Sequence, residues 1–161
     1  MNLRDSRGTV RGGVSVLIAA GTLAATLAAT LVLARAETPS IQPGQWTITT
    51  RTIVNGAAQP PAARPRCLTP AQAGDIAKTF GPQFGTVNSA CEDPVLETTA
   101  RTLTWRLVCR GQLDMEVRAD FDFDSPTRYT ATVGSRNMIA GALVSDVKTE
   151  IEGQRTGECP Q

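Results

Sequence analysis

The chain has 161 residues, with 16 arginine and lysine residues against 15 aspartate and glutamate residues, and it contains no histidine. The lack of histidine excludes Ser-His-Asp and Cys-His catalytic mechanisms and most transition-metal sites. A nearly neutral chain without a run of basic residues also argues against nucleic acid as a partner. No pattern in the sequence predicts a cofactor.

The N-terminus has the pattern of an export signal. Three arginines within residues 1–13 precede the uncharged run of residues 14–33, which ends in Ala34-Arg35-Ala36. This combination predicts a signal peptide over residues 1–36, cleaved after Ala36, and hence a periplasmic or secreted protein. The alternative is an uncleaved inner-membrane anchor, because residues 14–33 are just long enough to span a bilayer.

The remaining chain has the length of one domain. Residues 37–43 are predicted to be a short linker, and residues 44–160 a single secreted β-domain. Without residues 1–36 the chain keeps 12 cations and 14 acids, a net charge of −2. A chain of this length can bury roughly two thirds of its unfolded surface, which is enough for one core.

The first predicted elements are a strand and a turn. Residues alternate in character from Trp46 to Val54, which predicts a β-strand with Trp46 as its first inward residue. Asn55-Gly56 predicts a turn after this strand. The stretch 57–66 is rich in proline and alanine, so we expect an exposed loop that pairs with no strand.

A single short helix is predicted next, from Pro70 to Lys78. Thr69 can cap this helix, Pro70 suits its first turn, and Gln72 completes the pattern of a capping box. The helical spacing is expected to bury three side chains, those of Ala73, Ile76 and Ala77.

The later part of the chain reads as strands joined by tight turns. From Leu113 to Phe123 every odd position is apolar and every even position is charged, which predicts a half-buried strand. Further strands are predicted over residues 91–98, 102–109, about 129–133 and about 143–155. The turns fall near Thr99-Ala100-Arg101, at Gly111-Gln112 and at Ser125-Pro126-Thr127.

This order of elements predicts an all-β fold with one short helix. Short strands joined by tight turns form an antiparallel meander. One helix is too little to cover a sheet of six or seven strands. We therefore expect the sheet to curl into a barrel or half-barrel, in preference to a sandwich, with two disulfides cross-linking it.

Four cysteines in an exported chain predict two disulfides. Folding a hairpin about residue 100 sets Cys91 opposite Cys109 and Val95 opposite Trp105. The spacing therefore favours a Cys91–Cys109 bond and, by elimination, Cys67–Cys159, although spacing alone leaves the other pairings open. A zinc site is disfavoured, because the chain has no C-x-x-C pair and no histidine.

Two candidate sites are weighed against ordinary structural roles. Asp120, Asp122 and Asp124 resemble the start of a calcium loop. The residues at the later positions do not match such a loop, so a solvated strand face is the preferred interpretation.

Core packing is likewise the first interpretation of the seven aromatic residues. The alternative is an open apolar pocket lined by Trp46 and Trp105, which are the predicted ligand-binding residues. The aromatic residues are Trp46, Phe80, Phe84, Trp105, Phe121, Phe123 and Tyr129.

Several short motifs in order resemble an exported bacterial family, catalogued as domain of unknown function number 3617. They are PGQW before the first strand, CLTP from Cys67, a lone Cys91, W-x-x-x-C from Trp105, a strand and turn before Tyr129, and G-x-C-P from Gly157. The resemblance covers about residues 41–160. It implies a small secreted or periplasmic β-domain and transfers no catalytic residue.

The sequence leaves three classes of function. We expect a non-enzymatic envelope protein that binds a small apolar ligand or another envelope component, with membrane contact only through residues 14–33 if these stay attached. The second class is a structural or protein-interaction module of the periplasm, working through a strand edge or the charged outer face. An enzyme of unknown class is the third, and no catalytic residue is predicted.

Overall fold

The computed structural model describes residues 38–83 and 89–160. The predicted signal peptide, Glu37 of the predicted linker, and Phe84 lie outside the described residues. The described elements are β1 (Gly44–Val54), β2 (Ala57–Ala58), β3 (Ala62–Leu68), α1 (Pro70–Gly74), α2 (Ile76–Phe80), β4 (Ser89–Cys91), β5 (Val95–Thr98), β6 (Thr102–Gly111), β7 (Asp114–Ser125), β8 (Arg128–Ile139) and β9 (Ala142–Gly157).

All strands of the described part belong to one antiparallel sheet. Its order is β2-β1-β9-β8-β7-β6-β4, with β3 also pairing with β1 and β5 also pairing with β6. The predicted meander is confirmed for β6 to β9, which pair in sequence order. β9 then pairs with β1 from Gln45 to Val54, so the first and last strands are neighbours. The sheet is not closed and forms a curled half-barrel of nine strands, more than the six or seven expected.

The alternation predicted for β7 is confirmed from Val117 onward. Val117, Phe121 and Phe123 are buried on the inner face, whereas Asp120 and Asp122 between them are exposed. The prediction that Leu113 points inward was wrong, because it lies in the turn before β7 and is 37% exposed. An Asp114 carboxylate oxygen closes that turn by accepting a hydrogen bond of 3.1 Å from the amide of Gly111.

The turn at Asn55-Gly56 is confirmed, but the loop predicted after it was wrong. Asn55 and Gly56 have φ angles of 49° and 82°, as in the tight turns that join antiparallel strands. Within residues 57–66, β2 and most of β3 pair with β1. Pro65 lies opposite Thr47, and in the described chain β3 pairs with β1 alone. Proline is tolerated in such an edge strand, because its other side carries no hydrogen-bond ladder.

Two helical turns replace the single predicted helix. The capping box is confirmed, since Thr69 accepts from the amide of Gln72 and donates its own amide to the Gln72 side chain. Asp75 ends α1 with φ −127° and ψ 78°, and its carboxylate then caps α2 through the amide of Lys78 at 3.0 Å.

The break at Asp75 changes which helical side chains are buried. Ala73 and Ile76 are buried as predicted, but Ala77 is exposed. Thr79 and Phe80 are buried instead, so α2 turns its C-terminal end toward the sheet. An aromatic side chain therefore enters the core from the helical segment.

Both predicted disulfides, Cys91–Cys109 and Cys67–Cys159, are formed. The first joins direct partners of β4 and β6. Placing Val95 opposite Trp105 was wrong, because Leu96 pairs with Trp105 and Val95 pairs one position later. The register shifts by one between β4 and β5, since residues 92–94 belong to neither strand.

The second disulfide joins β3 to the segment after β9, and so links the end of the domain to its beginning. Two disulfides indicate an oxidising compartment outside the cytoplasm. Among the described residues, no helix has the length and apolar character needed to cross a bilayer.

Residues 41 and 42, within the predicted linker, contact the sheet. Ile41 is buried in the core, and the amide of Gln42 donates a hydrogen bond of 2.8 Å to the carbonyl of Pro126. The indole of Trp46 donates to the carbonyl of Gln42 at 3.1 Å. The segment before β1 is thereby held against the turn between β7 and β8.

Candidate ligand-binding pocket

The inner face of the sheet continues beyond the buried core as a half-buried aliphatic surface. Ile48, Val133 and Ile151 lie on neighbouring strands β1, β8 and β9, and each packs only partly against the core. Their β-branched side chains stand out from the sheet with little rotamer freedom. The sheet therefore presents a rigid apolar surface at this place.

This surface forms one wall of a pocket of about 360 Å³ that opens to solvent. The opposite wall comes from α2 and the segment after it, and β6 and β7 contribute aromatic side chains. The lining residues are Ile48, Arg66, Thr79, Phe80, Gly81, Gln83, Trp105, Phe121, Tyr129, Val133 and Ile151.

An aromatic cluster forms part of the pocket lining. Phe80 meets the rings of Phe121 and Tyr129 edge to face, with ring centroids 5.4 and 5.1 Å apart. The indole Nε1 of Trp105 donates a buried hydrogen bond of 2.8 Å to the carbonyl of Phe80. Because this bond ties α2 to β6, the pocket wall is held in place by both apolar packing and a satisfied polar contact.

Tyr129 is positioned by a glycine on the next strand. Gly153 is its direct partner on β9, and a Cβ atom at Gly153 would collide with the Tyr129 ring. The missing side chain therefore lets the ring lie flat across β9. Burial raises the pKa of Tyr129 to about 12, with the positive charge of Arg66 acting in the opposite direction. The phenol is consequently neutral at physiological pH.

Arg66 lies at the mouth of the pocket. It is the direct partner of Trp46 in the β1–β3 pair, and its guanidinium carbon is 5.7 Å from the centroid of the Phe80 ring. This geometry is that of a cation–π contact. The guanidinium is thereby held close to the apolar lining while remaining accessible to solvent.

The two predicted ligand-binding tryptophans have different places. Trp105 lines the pocket, although only 6% of it is exposed. Trp46 is completely buried, contacts Tyr129 at a centroid distance of 5.7 Å, and is not among the lining residues. Trp46 closes the core beneath the pocket, and Trp105 forms part of its wall.

Sequence reasoning missed Arg66 and Phe80 as pocket residues. Arg66 was placed in an unpaired loop, and Phe80 fell two residues beyond the predicted helix. The neighbouring Cys67 was the one available signal, because its disulfide to Cys159 requires an ordered backbone beside Arg66.

The charged outer face carries a shallow groove of about 520 Å³. Threonines and acids alternate there across the strands, as in the row Thr104, Asp120, Thr132, Glu150. The alternation keeps like charges two strands apart, roughly 10 Å, which limits their repulsion. The groove residues are Arg51, Thr102, Thr104, Asp120, Phe121, Asp122, Thr130, Ala131, Thr132, Glu150, Ile151 and Glu152.

The aspartates considered as a calcium loop lie on this outer face. Asp122 and Asp124 both pair with Arg101, at 3.5 and 3.9 Å, and Asp124 also pairs with Arg128 at 3.3 Å. Within residues 38–83 and 89–160, no three His, Cys, Asp or Glu side chains converge on a point where a metal ion would bind. The carboxylates of Asp122 and Asp124 are solvated groups paired with arginines, and Asp120 is exposed to solvent.

A curled antiparallel sheet with two disulfides, and an open apolar pocket between its inner face and a helical segment, defines a small disulfide-bonded half-barrel domain. Residues 41–159 match the family described as "Protein of unknown function (DUF3617)", and the chain belongs to this family. No curated protein and no solved structure matches the chain.

Proposed function

We propose that this chain is an exported envelope protein that binds a small apolar ligand in the inner pocket without transforming it. The observation that carries the proposal is the open pocket of about 360 Å³ that Trp105 lines, next to the buried core. Pockets for small ligands usually span about 300–1,000 Å³ and are mostly apolar. This pocket lies within that range and has an aliphatic wall on one side.

The energetics favour a ligand that covers this wall. Ile48, Val133 and Ile151 keep apolar surface in contact with water. Covering 100 Å² of such surface contributes about 2.5 kcal/mol. A chain-like or flat hydrophobic molecule that fills the pocket would also bury its own apolar surface, and both contributions act against the entropic costs of binding.

Binding of the uncharged fluorophore N-phenyl-1-naphthylamine tests the proposal. The purified protein is expected to enhance the emission of the probe, with energy transfer from Trp105. In Val133→Phe the larger ring narrows the pocket, and the affinity should fall about tenfold or more. Val144→Phe is the matched control, because Val144 is 47% exposed and lies outside this pocket. An unaltered affinity in Val133→Phe, or no binding at all, would contradict the proposed site.

The proposed location is the periplasm or the exterior, after cleavage behind Ala36. The two disulfides support an oxidising compartment. N-terminal sequencing of the protein from a periplasmic fraction should begin at Glu37. Recovery of the intact N-terminus in the inner-membrane fraction would favour the anchored form over the cleaved one.

A second candidate function, contact with another envelope protein, is favoured by the far end of the long β8–β9 hairpin. Ile139, Leu143 and Val144 are between 47% and 51% exposed there. Leu143 and Val144 also share a surface depression with Ile53 of β1. A photo-crosslinking amino acid at Val144 should give one recurrent protein adduct in intact cells, whereas the same group at Arg118 on the outer face should not.

A further inference from the structure

The polar groups that line the pocket differ in whether they are free to contact a ligand. Thr79 donates its hydroxyl to the carbonyl of Gln72 at 2.7 Å, and Gln83 donates its amide to the carbonyl of Lys78 at 3.0 Å. These two groups are already used within the fold. What remains for a ligand is the guanidinium of Arg66 and the hydroxyl of Tyr129.

Among the described residues that line this pocket, Arg66 is the one with a charged side chain. In the part of the chain that the structure describes, its guanidinium forms no ion pair and no hydrogen bond, and its contact is with the face of the Phe80 ring. Six other arginines in the same ranges pair with carboxylates, namely Arg101, Arg106, Arg110, Arg118, Arg128 and Arg155.

The geometry points to an elongated ligand with two chemically different ends. Aliphatic and aromatic side chains form the interior, and a single uncompensated cation stands at the mouth beside a neutral phenol. A guanidinium presents a planar fork of donors that matches a carboxylate or a phosphate. Hydrophobic burial and charge pairing would then act on the same molecule without competing for space.

We propose that the pocket takes a single-chain amphiphile with an anionic head group, its hydrocarbon chain inside and its head group against Arg66. This inference rests on the proposed function and adds the chemical class of the ligand. The carboxylate of a free fatty acid and the phosphate of a single-chain phospholipid share the chemistry that Arg66 recognises.

Calorimetric titration with four ten-carbon compounds tests the inference on the purified full chain. The compounds are decanoate, decyl phosphate, 1-decanol and decyltrimethylammonium, each kept below its aggregation concentration. We expect at least one of the anions to bind about tenfold more tightly than decanol, because a charge-assisted hydrogen bond is worth about that factor. The cation should bind more weakly than decanol. The ratio of the affinities for the two anions identifies the preferred head group.

Substitutions of Arg66 test whether this residue causes the preference for the anion. In Arg66→Gln the ratio of the affinity for the preferred anion to the affinity for decanol should fall to about 1, and Arg66→Lys should restore part of that ratio. Arg51→Gln is the matched control, because it removes the same charge from β1 on the outer face. Arg66 is exposed, so these changes leave the core intact, which near-ultraviolet circular dichroism verifies.

The outcomes separate this inference from the proposed function. Equal affinities for decanol and both anions would overturn the proposal that the ligand is anionic. The proposal of an apolar binding pocket would stand. Tighter binding of the cation, or a preference that survives Arg66→Gln, would also overturn it. Failure of all four compounds and of the naphthylamine probe to bind would overturn the proposed function and this inference together.

Discussion

The indole of Trp105 on β6 donates a hydrogen bond of 2.8 Å to the backbone carbonyl of Phe80, 25 residues earlier, at the last residue of α2. This bond joins a five-residue helical turn, too short to be stable alone, to strand β6 of the sheet. The same two residues line the inner pocket. The contact therefore fixes both the fold of the helical segment and one wall of the candidate site.

We predict that Trp105→Phe loosens α2. The side chain stays aromatic, but the buried carbonyl of Phe80 loses its hydrogen-bond donor, at a cost of about 1–3 kcal/mol in the free energy of unfolding. Hydrogen exchange should accelerate at the amides of Thr79 and Gly81, which bond within this helical turn. Trp46→Phe is the control and should destabilise the core without a selective effect on these amides. Unchanged exchange in Trp105→Phe would show that packing alone holds α2.

Gly153→Ala is predicted to destabilise the domain. The added methyl group would collide with the ring of Tyr129, and relief requires movement of a buried aromatic side chain. Such overpacking costs about 1–3 kcal/mol, measurable by urea denaturation. Gly134→Ala on β8 is the matched control, because its new methyl group would meet only ordinary contact distances. Equal stability of the two variants would refute the role assigned to Gly153.

Tyr129 is predicted to ionise at a pH of about 12 in the native protein. It is the single tyrosine of the chain, so absorbance of tyrosinate near 295 nm reports it directly. In guanidinium chloride the midpoint should return to about 10. Because the folded pKa is the higher one, its contribution to stability is complete below pH 10 and is lost as the pH rises from about 10 to about 12. A native midpoint near 10 would mean that the phenol is solvated.

The two disulfides are predicted to contribute unequally. In the chain-entropy model, closing the loop of 92 residues between Cys67 and Cys159 stabilises the domain by about 4.6 kcal/mol. The loop of 18 residues between Cys91 and Cys109 contributes about 3 kcal/mol. Denaturation of the two double-alanine variants measures the difference. A larger loss for the shorter loop would indicate that native packing around buried Cys109 outweighs loop entropy.

Much of the strand pattern was predictable because strand alternation is a local property. β7 follows a strict odd-even division between apolar and charged residues, and the structure keeps it from Val117 to Phe123. The capping box at Thr69 was equally clear, since both of its bonds join residues three apart. The disulfide pairs followed from the hairpin around residue 100, even though its register was one residue off in β5.

The elements that were missed depend on tertiary contacts more than on local propensity. β3 is poor in β-forming residues and contains Pro65, so its pairing with β1 is imposed by the turn at Asn55-Gly56 and by the Cys67–Cys159 bond. The helix break at Asp75 likewise accompanies the burial of Phe80 against the sheet. Propensity alone cannot reveal either contact, because tertiary burial overrides it.

The sequence by itself determined the β-class of the domain and the inward position of both tryptophans, since each depends on spacing along the chain. It favoured the two cysteine pairs without excluding the others, and the structure decided between them. The tertiary structure decided which tryptophan borders open space and which one is enclosed. It also decided that Arg66 stands over Phe80 at the mouth of that space. The physical reason is that a pocket exists only between elements, and its shape depends on how β1, β3 and α2 are placed around the curled sheet.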